Sequence, residues 1–420
     1  LNDLSAEQNL ALWNIEYDYK SIFLTGKAGT GKSTVLKKFI NNTDKNIVVL
    51  APTGVAAINI GGQTIHSFFK FNNNSKRANI ELEYGEKRVL QAIDTIVIDE
   101  ISMVRSDLLD LVDCSLRVNR HEYGSTFGGV QMVFVGDLFQ LPPVVTDKDV
   151  SRIKQDYQSE FFFDAICMDK YNYNHIELSN VFRQSEQQNK FKEILNDIRV
   201  GNNNADLHYL NSFCIGNPNN GICLTAYRAT SNEMNAKKLN ELNGNIIELT
   251  AQISGDFPIS DYPCPEIIEI KIGANVVMLS NDKLGRWANG TIGIVRDYYY
   301  GELSIEIDNN IISVERKKYG KYETALDKHG KLYKYQVGEF SQFPIELAYA
   351  MTIHKSQGKT FDKIELDLGR GAFAHGQTYV ALSRCKTING ISLKQPIKYS
   401  DLIIDKRVKK YHENIQNSSR

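Results

Sequence analysis

Apolar residues are bunched along the first third of the chain into four short runs: SIFLTG at 21–26, NIVVLAP at 46–52, DTIVIDE at 94–100 and QMVFVGD at 131–137. Each is too short for a typical helix and rich in β-branched side chains. Each therefore predicts a strand buried on both faces, as in a parallel sheet. Between the runs, apolar positions follow a helical period. Residues 106–118 put Leu108, Leu111, Val112 and Leu116 on one face. Strands alternating with helices predict an α/β domain.

The pattern resumes further along. A helix is expected over 189–200, with Phe191, Ile194, Leu195 and Ile198 on one face. Strands are expected at 222–226, 345–351 and 363–368, and helices at 232–242 and 376–384. These elements predict a second α/β unit running from about residue 170 to the end. Residues 255–340 break its rhythm: Pro258, Pro263 and Pro265 are followed by short alternating runs, the pattern of a small inserted β-barrel. Tyr298, Tyr299 and Tyr300 read as half-buried strand within it.

Composition narrows the classes. The chain has 420 residues, 42% hydrophobic and 24% charged, which suits two to three globular domains and excludes disorder. Lys and Arg number 49 against 50 Asp and Glu, so a histone-like polycation is excluded, whereas a groove with a local basic lining is not. The six cysteines include no C-x-x-C pair, which argues against a zinc knuckle and for a reducing compartment, cytoplasm or nucleus. No apolar run is long enough for a membrane span. The opening LNDLSAEQ lacks the pattern of a signal peptide, and its missing initiator Met suggests a processed or excised chain.

The candidate chemistry lies at the strand ends, where open α/β sheets bind ligands. The first end, GKAGTGKST at 26–34, fits G-x-x-x-x-G-K-[ST] from Gly26 to Ser33. Glycines let the backbone wrap a phosphate chain with its N–H groups inward, and the following helix adds its positive end. Gly29, Thr30, Gly31, Lys32, Ser33 and Thr34 are the expected nucleotide-binding set. In it, Lys32 reaches the β- and γ-phosphates and Ser33 binds Mg²⁺. A Gly-rich turn alone carries no such meaning; the strand before it and the helix after it do. At the third end, Asp99 would hold Mg²⁺ and Glu100 would polarise the attacking water. Two acids after a strand are most often a solvated turn, and only the phosphate loop on the same sheet changes that reading. At the fourth, Gln140 in FVGDLFQLPPV is placed to orient that water, although a Pro-stiffened loop would explain the segment too.

The second end, at 51–69, offers Thr53, Thr64, His66 and Ser67 followed by Phe68, Phe69 and Phe71. Short donors beside aromatics suit a phosphodiester track with base stacking, though a Phe cluster is more often core. In the second half, Arg183 in ELSNVFRQ and Arg384 in VALSRCKT could reach the γ-phosphate of a nucleotide held by the first unit. In AMTIHKSQGKTF, the turn bearing His354, Lys355, Ser356 and Gln357 could grip a backbone phosphate and report to the nucleotide through Gly358 and Thr360.

Taken in order, LSAEQ, GKAGTGKST, APTGVAA, VIDEISM, FVGDLFQLPPV, LSNVFRQ, TIHKSQGKTFD and YVALSR make the chain resemble superfamily 1 helicases, above all the Pif (petite integration frequency) family and its RecD relatives. STFGGVQMVFVGDLFQLPPV is similar to the stretch that marks this family, and MLSNDKLGRWANGTIGIV to the approach to its SH3-like insertion. The one departure is Thr126, where the family pattern has a Pro before the Phe. The resemblance implies an α/β fold of two RecA-like parallel-sheet domains, at 1–170 and 171–420. It also implies a small wedge-like insertion at 68–93 and an SH3-like β-barrel insertion at 255–340. By the same resemblance Gln8 reads adenine, Arg183 and Arg384 are arginine fingers, and Thr53, His66, Ser67, His354, Lys355 and Ser356 contact the DNA strand. It implies ATP- and Mg²⁺-driven 5′-to-3′ movement on single-stranded DNA and at single–double-strand junctions. Forks, RNA–DNA hybrids and G-quadruplexes are among the family's substrates. A compact bacterial enzyme, monomeric when free and associated with the nucleoid, is expected. A small-molecule phosphotransferase, a DNA clamp with a decayed ATP site and a RecD-like subunit of a larger complex are the alternatives.

Overall fold

The computed structural model describes residues 4–72, 80–179, 186–217 and 221–418. All four predicted runs of the first third are strands. With β1 (Ile22–Gly26), β2 (Ile47–Ala51), β3 (Gln63–Thr64), β4 (Thr95–Ile98), β5 (Gln131–Val135) and β6 (Asn174–Leu178), they form a parallel sheet in the order β3-β2-β4-β5-β1-β6. The central strands β1, β4 and β5 are buried along their whole length because helices cover both faces. Phe23, Ile98 and Phe134 face the helix Ser106–Arg120, while Leu24, Val97 and Val133 face the helices Ala6–Tyr17 and Lys32–Asn42. The period of two along each strand thus separates two cores.

The first sheet runs past the boundary expected at 170. Its edge strand β6, NHIEL, pairs with β1 from Asn174 to Leu178 and is only half-buried, so it has no apolar run to betray it. Phe69 and Phe71 are stacked in the first core with ring centroids 5.3 Å apart, which makes them packing residues rather than a platform for bases. Of the expected wedge, residues 73–79 lie outside the described residues, and the helix Tyr84–Ala92 packs through Val89 and Leu90.

The second unit has a parallel four-stranded sheet in the order Ala350–Thr352, Ile222–Thr225, Ile364–Asp367, Ile391–Leu393. The helix Glu186–Arg199 covers it through Phe191, Ile194 and Ile198. The insertion is wider than 255–340. Its antiparallel strands begin at Ile247–Thr250 and end at Ile345–Leu347, the last pairing with Asn275–Met278. The single apolar run at 345–351 therefore divides between two sheets: Ile345–Leu347 joins the insertion and Ala350–Thr352 the parallel sheet. Tyr298 packs on the insertion's core and Tyr299 ends the strand Ile292–Tyr299, but Tyr299 is exposed rather than half-buried, and Tyr300 lies exposed in the turn that follows, at φ +48°.

Two segments return to the first unit. The hairpin of Lys317–Leu326 and Leu332–Gln342 meets Asn46, which donates to the Gly330 carbonyl at 3.0 Å and accepts from the Leu332 N–H at 3.1 Å. The helix Lys406–Ser418 buries Val408 in the first core and lays Tyr411 flat on Phe163 at 4.1 Å. No described helix is long and apolar enough to cross a membrane.

Candidate nucleotide site

The carboxyl ends of β1, β4 and β5 open into a cavity of about 460 Å³ that the second unit closes. From the first unit, Gly29, Lys32, Ser33, Asp99, Glu100 and Gln140 line it, and from the second, Gly358, Thr360 and Arg384. The phosphate loop is shaped from within. Thr30 donates through Oγ1 to the Lys27 carbonyl at 3.0 Å, and Lys32 Nζ donates to the carbonyls of Gly26 and Lys27 at 2.6 and 3.1 Å. Gly31 sits at φ +89°, and a Cβ there would run into the Gln8 amide. Gln8 is the third residue of the first helix, where it closes a capping box with Ser5. Its Nε2 donates to the Thr30 carbonyl at 3.0 Å, so the residue expected to read adenine also braces the loop. Thr34 lies in the first turn of the helix that begins at Lys32.

Charge is concentrated at the cavity floor. Burial and the neighbouring Asp99 push the Glu100 carboxyl up to about 7, and burial likewise raises Asp99. Burial lowers the Lys32 ammonium, against the pull of Asp137 and Glu100. The Ser33 hydroxyl and the Asp99 carboxylate line the cavity with hard oxygens of the kind that would suit Mg²⁺, and a divalent cation there would offset two enclosed carboxylates. Glu100 adopts φ +52°, a left-handed conformation that costs a non-glycine residue about 1–2 kcal/mol. The turn comes two residues after β4, directly beyond Asp99.

From the second unit, Gln357 Nε2 lies 3.3 Å from Glu100 Oε2 and 3.4 Å from Gln140 Oε1, bridging the two groups expected to handle the attacking water. Arg384 caps the helix Gln377–Ser383 and is 6% exposed. It donates to the Val380 and Lys359 carbonyls at 3.0 and 3.4 Å and to Ser383 Oγ at 2.9 Å, which fixes the guanidinium at the cavity wall. Arg183 lies outside the described residues.

The strand-contacting candidates are arranged differently. Thr53 caps the helix Gly54–Ile60, accepting from the Ala56 N–H at 3.3 Å. Thr64 accepts from the Ser67 N–H at 3.1 Å, and both residues line a small cleft against Phe257, Lys321 and Tyr322 of the insertion. His66 is exposed, and its imidazole is held below its ordinary pKa by partial burial and then by Arg105. His354 and Lys355 are exposed on the turn after Ala350–Thr352, with Lys355 paired to Glu346. Ser356 departs from expectation. It is fully buried, and its hydroxyl donates to the Ile353 carbonyl at 2.7 Å, so the turn uses that side chain to hold its own shape.

Three residues that the sequence alone did not single out lie at the cleft wall, as Tyr379 does, or buried near it, as Asp137 and Arg199 are. Asp137, at the end of β5, forms a buried ion pair with Arg199 at 2.9 Å, and the Tyr379 hydroxyl accepts from the Ala28 N–H at 3.2 Å. The glycine-aspartate that follows the apolar run was a visible signal for Asp137. Tyr379 opens the YVALSR motif, which gives no role to its hydroxyl, and nothing local marked Arg199.

Comparison with known proteins shows the family. The family model described as PIF1-like helicase matches residues 3–208. The chain is 32% identical over 403 residues to human "ATP-dependent DNA helicase PIF1", covering 92% of this chain but only 60% of the human one. It is 31% identical to "ATP-dependent DNA helicase Pif1" of Bdellovibrio bacteriovorus, covering 93% of this chain and 88% of that protein. The crystal structure of Bacteroides sp Pif1 in complex with ADP-AlF4 superposes with a TM-score of 0.90 at 35% identity over 99% of this chain and 97% of that one. A Bacteroides Pif1 bound to single-stranded DNA, at 36% identity and over 99% and 98% of the two chains, gives 0.70. Likeness at this identity over nearly the full length of bacterial relatives means that the chain belongs to the PIF1-like helicase family, with its two RecA-like parallel-sheet domains.

Proposed function

We propose that the chain is an ATP-dependent DNA helicase that moves 5′ to 3′ along single-stranded DNA and opens duplexes at forks and junctions. The observation that carries this reading is the composite cavity: Lys32, Ser33, Asp99 and Glu100 from one RecA-like domain face Gln357 and Arg384 from the other. ATP bound there joins the domains. Lys32 and Arg384 offset the charge on the phosphoryl oxygens, while Glu100, Gln140 and Gln357 orient the water for in-line attack. Mg²⁺ held by Ser33 and Asp99 would neutralise the phosphates when bound. Arg183 would act as the second arginine finger, and Gln8 would hold the base.

Thr53, His66 and Ser67 on the first domain and His354 and Lys355 on the second would be separate grips on the DNA backbone. Closing the cleft moves one grip relative to the other, and the nucleotide's preference for the closed state supplies the work. Backbone contacts carry no base information, so binding is weakly sequence-selective and strongly salt-dependent. The first domain is taken to end with β6, and residues 68–93 to serve as the wedge. The chain is taken to act as a monomer in the nucleoid of a bacterium.

The test is steady-state ATP hydrolysis with and without poly-dT at low and moderate salt, followed by unwinding of duplexes tailed on either end. Salt-sensitive stimulation and unwinding of the 5′-tailed substrate are expected. Turnover indifferent to DNA would reject the motor.

A further inference from the structure

Asp137 has no part in the chemistry set out above, yet it ties the two domains together. Its carboxylate is buried at the end of β5. Oδ1 accepts from Arg199 Nη2 at 2.9 Å and Nε at 3.2 Å. Oδ2 lies 3.4 Å from the Tyr379 hydroxyl and 3.5 Å from Gln140 Nε2. Arg199 ends the helix Glu186–Arg199, and Tyr379 sits in the helix Gln377–Ser383, so both partners belong to the second domain. Tyr379 is 3% exposed, and its hydroxyl also accepts the Ala28 N–H of the phosphate loop.

The helix that carries Tyr379 is pressed onto the loop that carries Gln140. Gly376, at φ +68°, precedes it, and a Cβ there would lie 2.7 Å from the Gln140 carbonyl oxygen. His375 Nε2 meets the Leu138 carbonyl at 2.7 Å. Arg384 follows Tyr379 about one and a half helical turns on. One short helix therefore touches the phosphate loop, the Gln140 loop and the γ-phosphate side of the cavity.

We propose that Asp137, Arg199 and Tyr379 form a buried relay between the phosphate loop and the arginine helix, with Tyr379 as a positioning residue for Arg384 and Gln140. N–H groups of a phosphate loop point toward the phosphates. The Tyr379 hydroxyl and a phosphate oxygen thus compete for the Ala28 donor. When nucleotide takes that donor, the hydroxyl turns wholly to Asp137, whose place is fixed by the Arg199 fork. The helix follows, and the absence of slack at Gly376 passes the shift to Gln140 while Arg384 swings at the other end. The proposal rests on the reading of the cleft as an ATPase site, and deepens it.

The test is amide hydrogen exchange on the full chain, with and without the analogue AMP-PNP, alongside steady-state kinetics. Without nucleotide, Tyr379→Phe should speed exchange at Ala28 about fivefold or more, because the N–H loses its acceptor, and leave the Leu24 amide of β1 unchanged. AMP-PNP should erase the difference. Asp137→Asn, which leaves both the Ala28 N–H and the Tyr379 hydroxyl in place and removes only the carboxylate that accepts from that hydroxyl, should speed Ala28 exchange too. Arg199→Lys, which keeps the charge and loses the fork, takes its place if Asp137→Asn does not fold. Unchanged Ala28 exchange in Tyr379→Phe, or in the Asp137 or Arg199 variant, overturns the relay. In DNA-stimulated hydrolysis, Tyr379→Phe should lower kcat about tenfold with KM for ATP within about twofold. A change in KM alone would count against a positioning role. A wild-type chain without ATP turnover would remove the ATPase reading, and the exchange measurements would still decide the relay.

Discussion

In the nucleotide cleft the side chains are enclosed and held: Gln357 to Glu100 and Gln140 and Arg199 to Asp137 across the two domains, and Arg384 within its own. Along the proposed DNA track they stand in solvent or cap short helices, as His66, His354, Lys355 and Thr53 do. The difference follows from the ligands. A triphosphate is small, and its reacting atom must be placed closely, so the site is built in advance. A DNA backbone is long and repetitive, and many weak, interchangeable contacts hold it. Single changes should therefore be severe in the cleft and mild on the track.

The contrast can be attacked from its strongest end. Lys32→Ala should reduce ATP turnover by about 10³-fold or more while the thermal unfolding midpoint hardly moves, since the ammonium touches only loop carbonyls. Unwinding by that variant would show that the phosphate loop is misassigned. Arg384→Ala should lower kcat by about 10³-fold yet keep ATP binding, read by equilibrium titration with a fluorescent nucleotide; near-normal turnover would remove the finger. Gln357→Ala should cost about 10- to 100-fold in kcat with little change in KM, because it deletes an orienting group and leaves the phosphate contacts intact. Lys355→Ala should be the smallest. Affinity for poly-dT should fall a few-fold, and the log–log salt slope should shrink by about one. An effect as large as that of Arg384→Ala would collapse the distinction between cleft and track.

What was legible in the chain divides along a similar line. Strands β1, β2, β4 and β5 declared themselves because burial on both faces demands unbroken apolar runs. β3 has two residues and β6 is a half-polar edge, so neither carries that signal. The joint at 348–349 was hidden because Ile345–Leu347 and Ala350–Thr352 are both apolar, although they serve different sheets. Lys32, Asp99 and Gln140 could be found from local motifs. The partnership of Asp137 with Arg199 and Tyr379 could not, since it joins residues distant in sequence and is decided only by packing. Ser356 shows the converse: its motif is local, but its hydroxyl is spent on the turn.

The return of the helix Lys406–Ser418 to the first core has a mechanical consequence. The second domain departs from the first after β6 and is sewn back to it near its own end, with Arg407 meeting Glu160 at 3.3 Å. The hairpin at Asn46 and the Asp137–Arg199 pair add further ties, so the second domain has less freedom than a single connection would leave it. The two halves are thus bodies tethered by several threads rather than beads on one string.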